Sequence, residues 1–237
     1  MTFLRRAVRS LSSHARKRRA QAFRSAFVLS QDTKILDLGS EDGSNIRSVL
    51  NGTSVRPENV HIADIDSSLV QKGHNLFGFV PLFLYESDTL PFPDGYFDIV
   101  YCSSVIEHVT VSKSIVWTVY DGTQFKRESL VRQHRFAAEI RRVGKQYFVQ
   151  TPSKSFPIES HSWLPFAGYL PRPLLLPVLR LSNRIWIKET SPDWNLLGCN
   201  DFAAMFCDAE IVAEKYLGIT KSIMAIKSNG RPGQPPA

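Results

Sequence analysis

Cysteine is scarce. There are three in 237 residues, Cys102, Cys199 and Cys207, with no C-x-x-C and no ligand spacing. That excludes a disulfide framework and indicates no structural zinc, and an odd, unpatterned count suits a reducing cytoplasm. Cys102 sits within an apolar run and reads as a small core hydrophobe. Long apolar runs are lacking too: the stretch 163–181 is broken by prolines, Arg172 and Arg180, which argues against a membrane span. No apolar segment follows Arg5 and Arg6, so the expected product has no secretory signal. G-x-G-x-x-G is absent, which sets a nicotinamide dehydrogenase aside.

Acids are missing from the beginning of the chain, where none precedes Asp32. Residues 1–30 instead carry Arg5, Arg6, Arg9, Arg16, Lys17, Arg18, Arg19 and Arg24, interspersed with Phe3, Leu4, Val8, Leu11, Phe23, Phe27 and Val28. We read this as a basic helical extension of one or two amphipathic helices, which holds much of the +7 net charge. It suits contact with an anionic membrane surface or with nucleic acid. Being Arg- and Ser-rich, it also resembles an organelle-targeting presequence. The plainer alternative is a helix that packs over the domain's ligand site.

What the chain does have is a run of strand-then-helix units. Lys34-Ile35-Leu36-Asp37-Leu38-Gly39-Ser40-Glu41-Asp42-Gly43 is a short apolar run ending in an acid and breaking into a glycine turn, followed by a helix from Ser44 to Leu50. Glycine in such a turn lets a ligand approach bare backbone at the strand's carboxyl end. A second strand, Asn59 to Ala63, ends at Asp64, 27 residues beyond Asp37, the span of one β-α-β unit. Further strands are expected at 81–85, 97–102, 145–150, 210–217 and 220–227, and helices at 67–76, 125–142 and 200–207. The last two strands meet at Gly218, a separation suited to a hairpin.

Two later motifs are more specific: Leu90-Pro91-Phe92-Pro93-Asp94-Gly95-Tyr96-Phe97-Asp98-Ile99-Val100, and Glu107-His108-Val109. With them, residues 30–155 closely resemble the class I S-adenosylmethionine-dependent methyltransferases, in particular the type 11 domain group. The resemblance implies an α/β, Rossmann-like fold with a seven-stranded, mostly parallel sheet, an antiparallel C-terminal hairpin and helices on both faces. It implies S-adenosylmethionine as co-substrate. Asp37, Gly39 and Gly43 would lie under its methionine half, Asp64 would hold the ribose hydroxyls, and Ser103 would lie beside the sulfonium. The acid four residues before Leu90 is Glu86, the adenine-side candidate, with Asp88 as its competitor. One departure is Glu41, which stands where the group has its middle glycine. Its bulk and charge should weaken cofactor binding unless it points outward.

The methyltransferase domain is thus expected over 31–227, with a substrate-side insertion or lid at 151–199 and a disordered tail at 228–237. Prolines every few residues in the insertion argue against a long regular element there. Histidine is the natural base for a hydroxyl or amine acceptor near neutral pH, and His161 and His108 are the catalytic candidates. In an extended segment Glu159 falls on the same side as His161 and would orient it. No metal is expected. The expected activity is methyl transfer to a small-molecule or lipid- or sugar-linked acceptor by a cytoplasmic protein, peripheral to a membrane through residues 1–30. Two alternatives stay open. One is RNA methylation using the basic prefix and the 125–142 face, although Cys102-Ser103-Ser104-Val105 stands where an Asn-Pro-Pro-Tyr-like motif would be. The other is a non-catalytic protein that kept the fold and lost the cofactor through Glu41.

Overall fold

The computed structural model describes residues 2–84, 89–186 and 188–229, with side chains from residue 13 onward. Seven strands form one sheet: β1 (Ile35–Leu38), β2 (Val60–Asp64), β3 (Val80–Phe83), β4 (Phe97–Ser103), β5 (Gly144–Pro152), β6 (Glu210–Tyr216) and β7 (Ile219–Lys227). Their order is β3-β2-β1-β4-β5-β7-β6. β1 to β5 pair in parallel, whereas β7 is antiparallel to both β5 and β6. The order reverses between β1 and β4, and at such a switch point the two carboxyl ends open a crevice for ligands. The expected seven-stranded fold is therefore the observed one, with strand limits shifted by one or two residues.

Strand alternation explains why both faces need helices. Ile99 and Tyr101 join a buried cluster with Phe23, Ile46 and Val70, from α1 (Thr2–Ala26), α2 (Ser44–Val49) and α3 (Ser67–Phe77). Val100 and Cys102 point to the opposite cluster with Ala137, Ile140, Phe202 and Phe206, on or beside α4 (Gly122–Val143) and α6 (Cys199–Met205). Residues two apart share a face, so one apolar strand supplies two cores. Asp66 caps α3 by accepting from the amides of Ser68 and Leu69, and Asp121 caps α4 through those of Thr123 and Gln124. Each cap satisfies first-turn donors that have no partner within the helix.

The N-terminal segment is a single helix, and its second half belongs to the core. Phe23 is fully buried, 4.9 Å from Phe27 and edge-on to Tyr101 and Phe148 at 5.4 and 5.8 Å. Arg24 donates to the Val49 carbonyl at 2.7 Å, tying α1 to α2.

The insertion corrects an expectation. Despite its prolines it contains a 14-residue helix, α5 (Arg172–Ile185). Pro173 lies in the first turn, where no intrahelical N–H is required. Pro177 lies inside and forfeits the bond to the Pro173 carbonyl. The helix persists because Leu175 and Leu179 are buried in a satellite cluster with Ala167 and Trp194. Among the described residues no helix is long and apolar enough to cross a membrane. Residues 230–237, most of the expected tail, lie outside those described.

Candidate active site

Near the end of β1, Asp37 is 2% exposed and has one carboxylate oxygen, Oδ2, without a hydrogen-bond partner. Burial, then the negative charge of Asp64, pushes its carboxyl well above the usual range. Beyond it the loop turns through Gly39 at φ 78°, Glu41 at φ 51° and Gly43 at φ 71°. A Cβ on Gly39 would lie 2.3 Å from a Val105 methyl, so backbone passes here where a side chain cannot. Glu41 takes up the left-handed conformation that glycine enters freely, and it is exposed. The Glu41 amide donates to Asp64 Oδ2 at 2.9 Å, and the Asp66 amide donates to Asp64 Oδ1 at 3.1 Å. Asp64 thus braces the glycine loop from the end of β2. Glu86 and Asp88 lie outside the described residues.

After β4 and β5 the construction changes from backbone to side chains. Gln150, at the end of β5, is 1% exposed, and its Oε1 accepts from Ser103 Oγ at 2.8 Å, Ser104 Oγ at 3.1 Å and Arg19 at 2.5 Å. Ser103 is therefore engaged by Gln150, and its neighbour Ser104, at φ 60°, lines the adjoining cavity. That cavity holds about 490 Å³. Its wall draws Arg16 and Arg19 from α1, Glu41 from the glycine loop, His108 from the turn after β4 and His161 from the insertion. Trp163, Leu196 and Tyr216 supply apolar wall.

His161 and His108, adjacent in neither sequence nor secondary structure, meet with ring centroids 4.5 Å apart and nearly perpendicular. Glu159 does orient His161, but through a turn rather than an extended strand. Its carboxylate takes the His161 amide at 2.7 Å, the Ser162 amide at 2.6 Å and the Ser162 hydroxyl at 2.7 Å, while its Oε1 lies 2.6 Å from His161 Nδ1. The Trp163 amide closes the turn on the Glu159 carbonyl, and the short loop satisfies its donors on one side chain. Burial opposes charge on His161, yet Glu107 and Glu159 override it and push its pKa up to about 9. Glu159 falls to about 2: burial raises it, and its bonds to His161 and Ser162 outweigh that. The two carboxylates thus favour the protonated form of the His161 ring.

Three acids around this pair matter. Glu107 is fully buried beneath His161, and Thr151 Oγ1 donates to its Oε2 at 2.8 Å. Asp193 Oδ1 lies 3.4 Å from His108 Nδ1. Burial raises the Asp193 carboxyl, but His108 brings it below its ordinary value. Sequence reasoning singled out Glu159 and had Glu107 within the Glu-His-Val motif. Asp193, Gln150, Arg19 and Thr151 carried no local signal, because only the fold brings α1 and residue 193 to the carboxyl edge.

Residues 36–147 match the family described as Methyltransferase domain. No curated protein matches the sequence. Among solved structures the chain resembles magnesium protoporphyrin IX methyltransferase from Synechocystis PCC 6803 with bound SAH. The TM-score is 0.53 at 14% identity, over 96% of this chain and 89% of that one. It also resembles an O-methyltransferase family protein from Burkholderia thailandensis, with TM-score 0.51 and 13% identity over 93% of this chain and 57% of that one. At such identities the likeness is one of fold.

Proposed function

We propose, from a chain whose residues 36–147 form a methyltransferase domain, that the protein transfers a methyl group from S-adenosylmethionine to a small-molecule or lipid- or sugar-linked acceptor. When bound, S-adenosylmethionine supplies a methyl carbon made electrophilic by its sulfonium. The observation that carries the reading is the buried, half-unpartnered Asp37 beside a bend that admits only backbone. An orphaned acceptor costs free energy until a donor meets it, and the ammonium end of the cofactor's methionine half is one. Asp37, Gly39 and Gly43 would hold that half, and Asp64 the ribose. Glu41 lines the cavity but is exposed, so its carboxylate can stay in water while its amide serves the bend through Asp64, which supports binding in spite of the missing glycine.

Acceptor selection falls to the cavity, whose size suits a compact organic molecule. The residues align rather than react: His108 and His161 face the acceptor, and Asp193 and Glu159 fix their rings. Support for a lipid-linked acceptor comes from α5. Leu174, Val178, Leu181 and Ile185 are exposed along one helical face, with Phe166 63% and Tyr169 51% exposed just before the helix. A large apolar patch rimmed by Arg180 and Arg184 fits the interface of an anionic membrane. The second half of α1 is occupied with the core, so the membrane-contact reading rests on α5 and on residues 1–12.

RNA is the second reading, favoured by a groove along α4 lined by Lys126, Arg127, His134 and Arg135. Calorimetry with S-adenosylhomocysteine is the first test. Wild type should bind and Asp64→Ala should not; no heat from wild type at millimolar ligand returns the protein to the non-catalytic class. A tritiated-methyl screen over lipid, sugar, phenol and RNA extracts then identifies the acceptor. Leu181→Glu should reduce sedimentation with phosphatidylserine vesicles. RNA association that weakens steeply with salt, together with labelled RNA, would favour the second reading instead.

A further inference from the structure

At the cavity wall, with Glu107 buried behind His108 and His161, the three residues each offer a ligand atom, and the three atoms lie within 4.8 Å of one another. Two separate segments assemble them: the turn Ile106–His108 after β4, and the insertion after β5. Glu107 is the key member. It has no exposure, one oxygen is held by Thr151, and the other, Oε1, has no hydrogen bond. His161 Nε2 faces it at 3.6 Å, within ion-pair range but beyond hydrogen-bond length. The ring supplies charge there but no bond, and a divalent cation that displaces the ring's proton would supply both.

The two imidazoles are prepared in the same way. His161 presents Nδ1 to Glu159 at 2.6 Å and His108 presents Nδ1 to Asp193 at 3.4 Å, so Nε2 is the nitrogen each ring turns away from its carboxylate, and on His161 a cation would take it by displacing its proton. A carboxylate behind Nδ1 is how proteins fix the tautomer and direction of a metal-ligating histidine. Both rings also line the cavity, so remaining coordination positions open toward the acceptor.

We propose that Glu107, His108 and His161 form a two-histidine, one-carboxylate site for a first-row divalent cation such as Mn²⁺ or Zn²⁺. Mixed imidazole and carboxylate donors with open positions suit such ions better than Mg²⁺ or Ca²⁺, which prefer all-oxygen shells. The site owes nothing to the cysteines. Resting on the methyltransferase reading above, it also names the acceptor class: a cation held there would bind an acceptor hydroxyl and lower its pKa, the proton leaving to solvent, so that oxygen forms the new O–C bond as the sulfonium S–C bond breaks and S-adenosylhomocysteine leaves.

The test uses the full chain, stripped of metal, with no cofactor or acceptor present. CoCl₂ is titrated and followed by visible absorption, with MnCl₂ followed by calorimetry. Wild type should take up one cation per chain, with ligand-field bands and no thiolate charge-transfer band. Glu107→Gln and His161→Asn should each weaken binding by more than about 100-fold, and Glu159→Gln and Asp193→Asn by about 10-fold. His134→Asn, on α4, should bind like wild type. Circular dichroism reports whether each variant folds. Uptake unchanged in folded Glu107→Gln or His161→Asn, a thiolate band from Cys199 or Cys207, or no uptake by wild type at millimolar metal each overturns the site. Should both ligand variants fail to fold, Asp193→Asn decides, and undiminished affinity there also overturns it. S-adenosylhomocysteine binding is measured separately: its loss with metal uptake intact defeats the methyltransferase reading alone, and the reverse result defeats the metal site alone.

Discussion

The loops after β1 and β2 form their half of the site from backbone, whereas the segments after β4 and β5 form theirs from side chains. In the first half, glycines at positive φ and a Val105 methyl 2.3 Å from where a Cβ would stand leave no room for substitution. In the second, Glu107, Glu159, Gln150 and Asp193 each hold a neighbour through one or more polar contacts. A backbone site recognises a part common to many substrates and fails wholly when it is filled. A side-chain site is tuned residue by residue, which suits the part that differs between one acceptor and another.

That contrast is tested most harshly at Gly39. Gly39→Arg should abolish binding of S-adenosylhomocysteine and lower thermal stability, because the new side chain must displace Val105 and hold a left-handed backbone. Binding within tenfold of wild type, read by calorimetry, would show that the bend is not the cofactor's seat. Next in size is Phe23→Ala. Phe23 is fully buried against Tyr101 and Phe148, so truncation should cost about 3–5 kcal/mol in urea unfolding. A loss below about 1 kcal/mol would mean that α1 is an appendage and not the brace between the two halves.

Most of the backbone-built half was legible in the sequence, because apolar strand, acid, glycine and helix follow one another locally and each follows from short-range sterics. The side-chain half was legible only in fragments. Glu107-His108 and Glu159-x-His161 were visible, but their meeting depends on two loops separated by the whole of α4 and β5. Asp193 and Gln150 gained roles only through that meeting. α5 was obscured by Pro173 and Pro177, whose helix-breaking tendency is offset by the burial of Leu175 and Leu179, a tertiary effect. The docking of α1 was masked by its charge: among eight arginines and lysines, the buried stripe Ala20, Phe23 and Phe27 is short.

Asp64→Asn sharpens the comparison more gently. The amide keeps an oxygen for the Glu41 or the Asp66 N–H, but loses the second acceptor. Affinity for S-adenosylhomocysteine should fall by about 10-fold or more, as expected when a charge-assisted hydrogen bond of about 1.5–3 kcal/mol to the ribose is removed, and the weakened brace should lower the melting temperature only modestly. A large drop in melting temperature with no change in affinity would reassign Asp64 to loop bracing alone.

The smallest effect, and the most discriminating, belongs to Glu41→Gly. A side chain at φ 51° is strained by about 1–2 kcal/mol relative to glycine, which enters that region freely. Glycine returns about 0.4–1 kcal/mol of this through the greater freedom of its unfolded chain. The net expectation is a gain of about 0.5–1 kcal/mol, readable as a higher urea midpoint at unchanged slope. The Glu41 amide still reaches Asp64, and a negative charge leaves the cavity wall, so cofactor affinity should hold or rise slightly. A substitution that instead weakens cofactor binding would make the Glu41 carboxylate a ligand in its own right. The loop after β1 would then bind through a side chain, and the division between the two halves of the site would have to be redrawn.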